Sequence, residues 1–230
     1  ALHLSYEAAK AGAPVLYIGL ELGKTDLAAR MLGLASERKW SRLFLGQNKD
    51  GEADPSELAD VAARHGDALA ALPWHLEVAG PYGWPYDRLA PRVAALVKRY
   101  PSSPYPPLVV IDFAQLVSSP GDGREESVRE RIQKAAYAAR AVARDHGAAV
   151  LLVSSSARTN YAALRGEKPK NDKGGTQRDA KPRWKGSPSA LVGLGKESGE
   201  VEYAADSVLA LVSEGWEPDA KETRMHLAVA

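Results

Sequence analysis

The chain has 230 residues, 45% of them hydrophobic and 26% charged, with a formal net charge of +1, a composition that excludes a disordered or collagen-like protein. It has no cysteine, which excludes a disulfide framework and thiolate metal sites and agrees with a cytoplasmic location. No apolar run approaches the roughly 18 residues that a membrane helix needs, no signal peptide opens the sequence, and so balanced a charge leaves any nucleic-acid partner to be met by local clusters.

Residues 1–10 carry Leu2, Leu4, Ala8 and Ala9 among polar residues, with Gly12 as a stop, and read as a short helix. Val15 to Leu20 is a buried strand with Glu21 at its carboxyl end. Thr25 to Glu37 is helical, with Leu27, Arg30, Met31 and Leu34 at 3.6-residue spacing and Thr25 as N-cap. Ser41 to Gln47 reads as a short apolar turn and Asn48 to Asp54 as a polar loop. A helix then runs from Pro55 to about His65. Trp74 to Val78 is an alternating strand, Pro81 to Pro85 a turn, and Tyr86 to Arg99 a helix. A Pro-rich link, Pro101 to Pro107, leads into Leu108-Val109-Val110-Ile111-Asp112. Its four consecutive aliphatic residues predict a strand buried on both faces, and an acid follows directly. Gly121 to Arg124 is a polar loop, Glu125 to His146 a long helix stopped by Gly147, and Ala148 to Val153 another apolar strand before Ser154-Ser155-Ser156.

Alternation of this kind predicts an α/β fold, a mainly parallel sheet with helices on both faces. Residues 160–188 break the rhythm with Gly, Pro, charged residues and hardly any aliphatics, and read as a long flexible loop. Two further strands are predicted at Ala205 to Val212 and Thr223 to Val229. With no initiator Met, and an ending that reads as an unfinished strand, the sequence is expected to be an internal part of a longer protein. No repeat and no clear domain boundary interrupts it, so residues 1–230 are expected to form one domain.

Glu21 and Asp112 both end buried strands, where ligands of open α/β sheets sit. Such a pair suits a nucleotide site, one acid serving hydrated Mg²⁺ and the other the attacking water. Two helix N-caps would leave the same pattern. Gly23-Lys24-Thr25 looks like the tail of a phosphate-binding loop. The glycine required five positions before Gly23 is Ile18, however, and Leu20 and Leu22 are too bulky to wrap phosphate. The loop 160–188 carries Arg165, Lys168, Lys170, Lys173, Arg178, Lys181, Arg183 and Lys185, with Tyr161 and Trp184 near its ends. Cations with aromatics suit single-stranded nucleic acid, and a solvated linker is the plain alternative. Scattered histidines argue against zinc, and Ser154 to Ser156 lacks a nucleophile elbow. Trp40, Trp74, Trp84 and Trp216 read as core or rim packing.

The order of motifs resembles the RecA-like ATPase domain of DnaB-type replicative helicases and their phage and mobile-element relatives, almost end to end. Val15-Leu16-Tyr17-Ile18-Gly19-Leu20-Glu21-Leu22 is similar to the family's second core strand with its catalytic glutamate. Leu27-Ala28-Ala29-Arg30-Met31-Leu32 resembles the next helix, and Arg42-Leu43 to Gly46 the segment after it. Ile111-Asp112-Phe113-Ala114-Gln115-Leu116 resembles the Walker B stretch, and Glu130 to Arg144 the helix that follows. Ser198-Gly199-Glu200-Val201-Glu202-Tyr203-Ala204-Ala205-Asp206 is similar to the Ser-Gly-x-Ile-Glu-x-x-Ala-Asp that follows the DNA-binding loop.

The resemblance implies a P-loop NTPase core of the RecA type, incomplete at both ends, using ATP and Mg²⁺ in a homo-oligomer, a hexameric ring, on single-stranded DNA. Primase or a helicase loader is an implied partner. Glu21 would polarise the attacking water and Asp112 would order the Mg²⁺ shell. Arg124, in the loop after Val117, and the basic residues of 160–188 would face the DNA channel. Ser155 stands where the family has a sensor Gln, a departure, and the basic loop is long. The family's Gly-Lys-Thr would directly precede Ala1 and its arginine-finger segment would follow Ala230, so these 230 residues alone are expected to hydrolyse ATP poorly or not at all. A RecA-like recombination, remodelling or plasmid-type ATPase is the first alternative, and a non-catalytic nucleic-acid-binding scaffold the second.

Overall fold

The apolar run after Pro14 folds as the strand β1 (Val15–Gly19), buried at every position. In the computed structural model the described residues are 1–48, 50–121, 126–155, 204–213 and 225–229. The other strands are β2 (Trp74–Val78), β3 (Trp84–Pro85), β4 (Leu108–Asp112), β5 (Val117–Ser118), β6 (Ala149–Leu152), β7 (Leu209–Ser213) and β8 (Met225–Val229). The helices are α1 (Leu2–Lys10), α2 (Lys24–Ser36), α3 (Trp40–Leu45), α4 (Pro55–Ala70), α5 (Leu89–Arg99) and α6 (Val128–His146). Contacts divide the chain into two compact units, Ala1–Val153 and Ser154–Ala230.

In the first unit the sheet runs β2-β1-β4-β6, every pair parallel. Parallel neighbours cannot be joined by hairpins, and helices make each crossing: α2 to α4 between β1 and β2, α5 between β2 and β4, α6 between β4 and β6. Because strand side chains alternate, the two faces separate cleanly. Leu16, Ile18, Leu20, Val109 and Ile111 pack with Val93 and Leu96 of α5 and with Ala135, Ala139 and Val142 of α6. On the opposite face Tyr17 and Val110 pack with Leu27 of α2 and Leu2 of α1.

Local chemistry sets most boundaries. Asp54 caps α4 by accepting from the Ser56 amide at 3.1 Å, with Pro55 in the first turn. α6 opens on a capping box: the Ser127 hydroxyl accepts from the Glu130 amide at 3.2 Å, and the Glu130 carboxylate accepts from the Ser127 amide at 2.9 Å. It closes on Gly147 at φ 60.

Several boundaries differ from the sequence expectation. Thr25 is not the N-cap of α2; Gly23 occupies that position, without a side-chain hydrogen bond. The apolar turn at 41–47 is the helix α3, ended by left-handed Gly46. α4 continues past Gly66 to Ala70, because packing against α2 outweighs the roughly 1 kcal/mol a mid-helix glycine costs. The turn 81–85 ends in β3, which pairs in parallel with β5. α6 begins at Val128 rather than Glu125.

In the second unit β7 and β8 form an antiparallel pair, with Leu211 opposite Leu227. These are the two strands the sequence predicts after the basic loop, and the loop itself lies outside the described residues. Among the described residues, no helix is long and apolar enough to cross a membrane.

Candidate functional site

The carboxyl ends of β1 and β4 are adjacent. Gly19 is in register with Asp112, and the Leu20 amide donates to the Asp112 carbonyl at 2.8 Å. The next residue, Glu21, lies in a bend and is exposed, while Asp112 is half-buried. The two acids therefore leave neighbouring strands at the same rim, and neither is a helix N-cap: α2 is capped by Gly23, and the short 3-10 helix Ala114–Leu116 by Phe113. The Asp112–Phe113 peptide is cis.

Asp112 accepts a hydrogen bond at Oδ2 from the hydroxyl of Tyr17, which is 1% exposed. Burial and then this bond push the Tyr17 phenol far above its ordinary value, so it stays a proton donor. Beside the pair a cleft of about 390 Å³ opens between α1 and α2, lined by Tyr17, Leu22, Arg30, Arg38, Trp40 and Asp112 among others. The Arg30 guanidinium stacks 4.0 Å from the centre of the Trp40 ring, and its Nε is buried with no hydrogen-bond partner among the described residues.

These donors fit a hydrated Mg²⁺ better than a metal held by protein alone. Asp112 offers a hard oxygen, and among the described residues no group of three or more His, Cys, Asp or Glu could cage an ion. Mg²⁺ commonly keeps several waters and takes only one or two carboxylates. Arg30, which lines the same cleft and has a buried guanidinium nitrogen without a hydrogen-bond partner among the described residues, suits an anion such as phosphate.

A buried carboxylate stands just ahead of α6. Glu126 is 8% exposed. It accepts from Lys134, from the Tyr86 hydroxyl at 3.1 Å and from the Ser119 hydroxyl at 2.9 Å. The Lys134 ammonium, foremost, holds its pKa below the usual carboxylate range.

The remaining candidates from the sequence lie past β6 or outside the described residues. Ser155 is exposed, three residues past β6. Arg124 and the eight cations from Arg165 to Lys185 lie outside the described residues. Of the tryptophans, Trp84 is buried in the core, Trp74 packs on Tyr17 with ring centres 5.6 Å apart, and Trp40 lines the cleft. Sequence reasoning assigns Tyr17, Arg30 and Trp40 no part in a site. The one signal is for Tyr17, a phenol inside an otherwise aliphatic strand.

Two solved structures match nearly all of this architecture. A DnaB-like replicative helicase, in a structure addressing its interactions with primase, aligns over 99% of this chain and 50% of its own, with TM-score 0.68 and 14% identity. The fold is that of a RecA-like helicase ATPase domain. A second solved structure, itself an ATPase domain, is also similar, over 99% of this chain and 70% of its own, with TM-score 0.67 and 16% identity. The chain thus spans half the length of the first RecA-like neighbour. No family model matches the sequence, and no curated protein does.

Proposed function

We propose that residues 1–230 are one RecA-like motor domain of an ATP-dependent DNA helicase or translocase of the DnaB type, acting in DNA replication. The observation that carries the reading is the pair of acids on adjacent parallel strands: Asp112 at the end of β4, and Glu21 one residue past the Leu20 amide that is bonded to Asp112. A bound Mg²⁺ would neutralise phosphate charge and orient the phosphates for in-line attack. Asp112 would hold the metal through water by its carboxylate. Glu21, exposed at the rim, would orient the attacking water and accept its proton. Arg30, one of the residues lining the cleft, would face the phosphate charge. Ser155 would stand in the sensor position. Arg124 and the cations of loop 160–188 would hold single-stranded DNA in a channel formed by several copies of the chain in a ring.

The test is the ATPase rate of the full-length protein with and without single-stranded DNA, beside Glu21→Gln and Asp112→Asn. The expected result is DNA-stimulated turnover that each substitution lowers about a hundredfold or more. Turnover indifferent to both changes would remove the carboxylate roles. A folded protein that binds DNA without turnover would replace the motor by a binding scaffold.

A further inference from the structure

We propose that Tyr17 is a positioning residue for Asp112, fixing one carboxylate oxygen so that the other meets the hydrated Mg²⁺. This rests on the reading of Asp112 above and adds a residue to it.

A phenol inside a strand buried at every position is unfavourable unless its hydroxyl finds a partner. The partner of Tyr17 is Asp112 Oδ2. In the β1–β4 register Tyr17 lies opposite Val110, and Gly19 lies opposite Asp112. The phenol must therefore pass the position of Gly19 to reach the carboxylate. A Cβ on Gly19 would lie 3.5 Å from Tyr17 Cε1 and 2.7 Å from Leu27 Cδ1. The missing side chain leaves room for Leu27, while the Tyr17 ring lies at ordinary van der Waals distance from that position.

The ring itself is held in place. Trp74 packs against it, Leu27 lies in the same core cluster, and Tyr17 is 1% exposed. The Asp112 backbone is tied to β1 through the Leu20 amide. With the backbone and Oδ2 both held, Oδ1 is the oxygen left to serve a metal's water shell. Outer partners of this kind change metal affinity by roughly 10- to 100-fold in other sites.

The experiment uses the full-length protein with ADP and Mn²⁺ as a paramagnetic stand-in for Mg²⁺. Bound metal is read by electron paramagnetic resonance, and thermal midpoints are recorded in parallel. Tyr17→Phe keeps the ring and removes only the hydroxyl. It is expected to weaken Mn²⁺ binding about tenfold while Asp112→Asn weakens it at least as much. Trp74→Phe, which disturbs the packing beside Tyr17 but leaves the hydroxyl, is expected to stay within about twofold of wild type. A strong effect of Asp112→Asn with none from Tyr17→Phe would overturn the role of Tyr17 and leave that of Asp112 standing. No effect from either would overturn both. An equal loss in Trp74→Phe would assign the effect to packing, and that too overturns the proposal.

Discussion

Ionising the buried Tyr17 would place a second negative charge against Asp112, and this gives the residue a signature in alkali. Its pKa is raised in the folded state, by burial first and then by its bond to Asp112. The protonated form is thus favoured on folding, and the stabilisation is complete below the unfolded value of about 10. It is lost as pH rises beyond that, because the unfolded phenol releases its proton first. Urea midpoints between about pH 9 and 11 should therefore fall faster for wild type than for Tyr17→Phe. Equal slopes would mean the phenol titrates normally. The neighbouring Gly19→Ala pushes a methyl to 2.7 Å from Leu27 Cδ1, the end of a side chain that is 1% exposed and borders the cleft. Overpacking of this type costs about 1–3 kcal/mol, measurable by urea denaturation, and it should weaken Mn²⁺ binding if the Tyr17 ring is displaced as well.

The segment leading into α6 depends on one buried acid. Glu126 is paired with Lys134 one helical stretch later and bonded to Tyr86 and Ser119. Because its pKa is lowered on folding, with Lys134 as the main cause, the ion pair's contribution is full above the ordinary carboxylate value of about 4.5 and fades as pH falls below it. Lys134→Met removes the cation and leaves the carboxylate buried. It should lower the thermal midpoint at neutral pH, and the difference from wild type should shrink at about pH 4, where the acid can protonate. A deficit independent of pH would point to lost packing of the lysine stem instead.

Elements are legible in the sequence where their signals are local. The start of α6 is written in Ser127 and Glu130, three residues apart, although the polar run invites a start at Glu125. The apolar strands β1 and β4 are plain from composition alone, as is the stop at Gly147. α3 escapes notice because six residues are too few to display a helical period. The Tyr17–Asp112 bond joins residues 95 positions apart, a distance at which no pattern in a single sequence announces contact. Glu21 and Asp112 are visible as strand-end acids because the sheet rule places both at one rim. Arg30, by contrast, looks like an ordinary polar turn of α2 until Trp40 and the cleft are seen beside it.

For the molecule as a whole, alternation of strand and helix is enough to anticipate a parallel sheet with covered faces, and the order of motifs points to the RecA-like helicase fold. The proposed DNA contacts of loop 160–188 are a matter of salt. If Lys168, Lys170 and Lys173 each neutralise a phosphate, replacing all three by Ala should reduce the slope of log affinity for single-stranded DNA against log salt by about 2. An unchanged slope would return the loop to a solvated linker.

The place of β1 has a consequence that can be timed. Its five residues are hydrogen-bonded to a strand on each side and buried at every position. Amides in such a location exchange with deuterium only when the surrounding unit opens as a whole. Short outer elements such as α3 should label within the early time points and β1 last. The rim that carries Asp112 is thus borne by the slowest-exchanging part of the first unit, and it should keep its shape through the partial openings that pass through the helices around it.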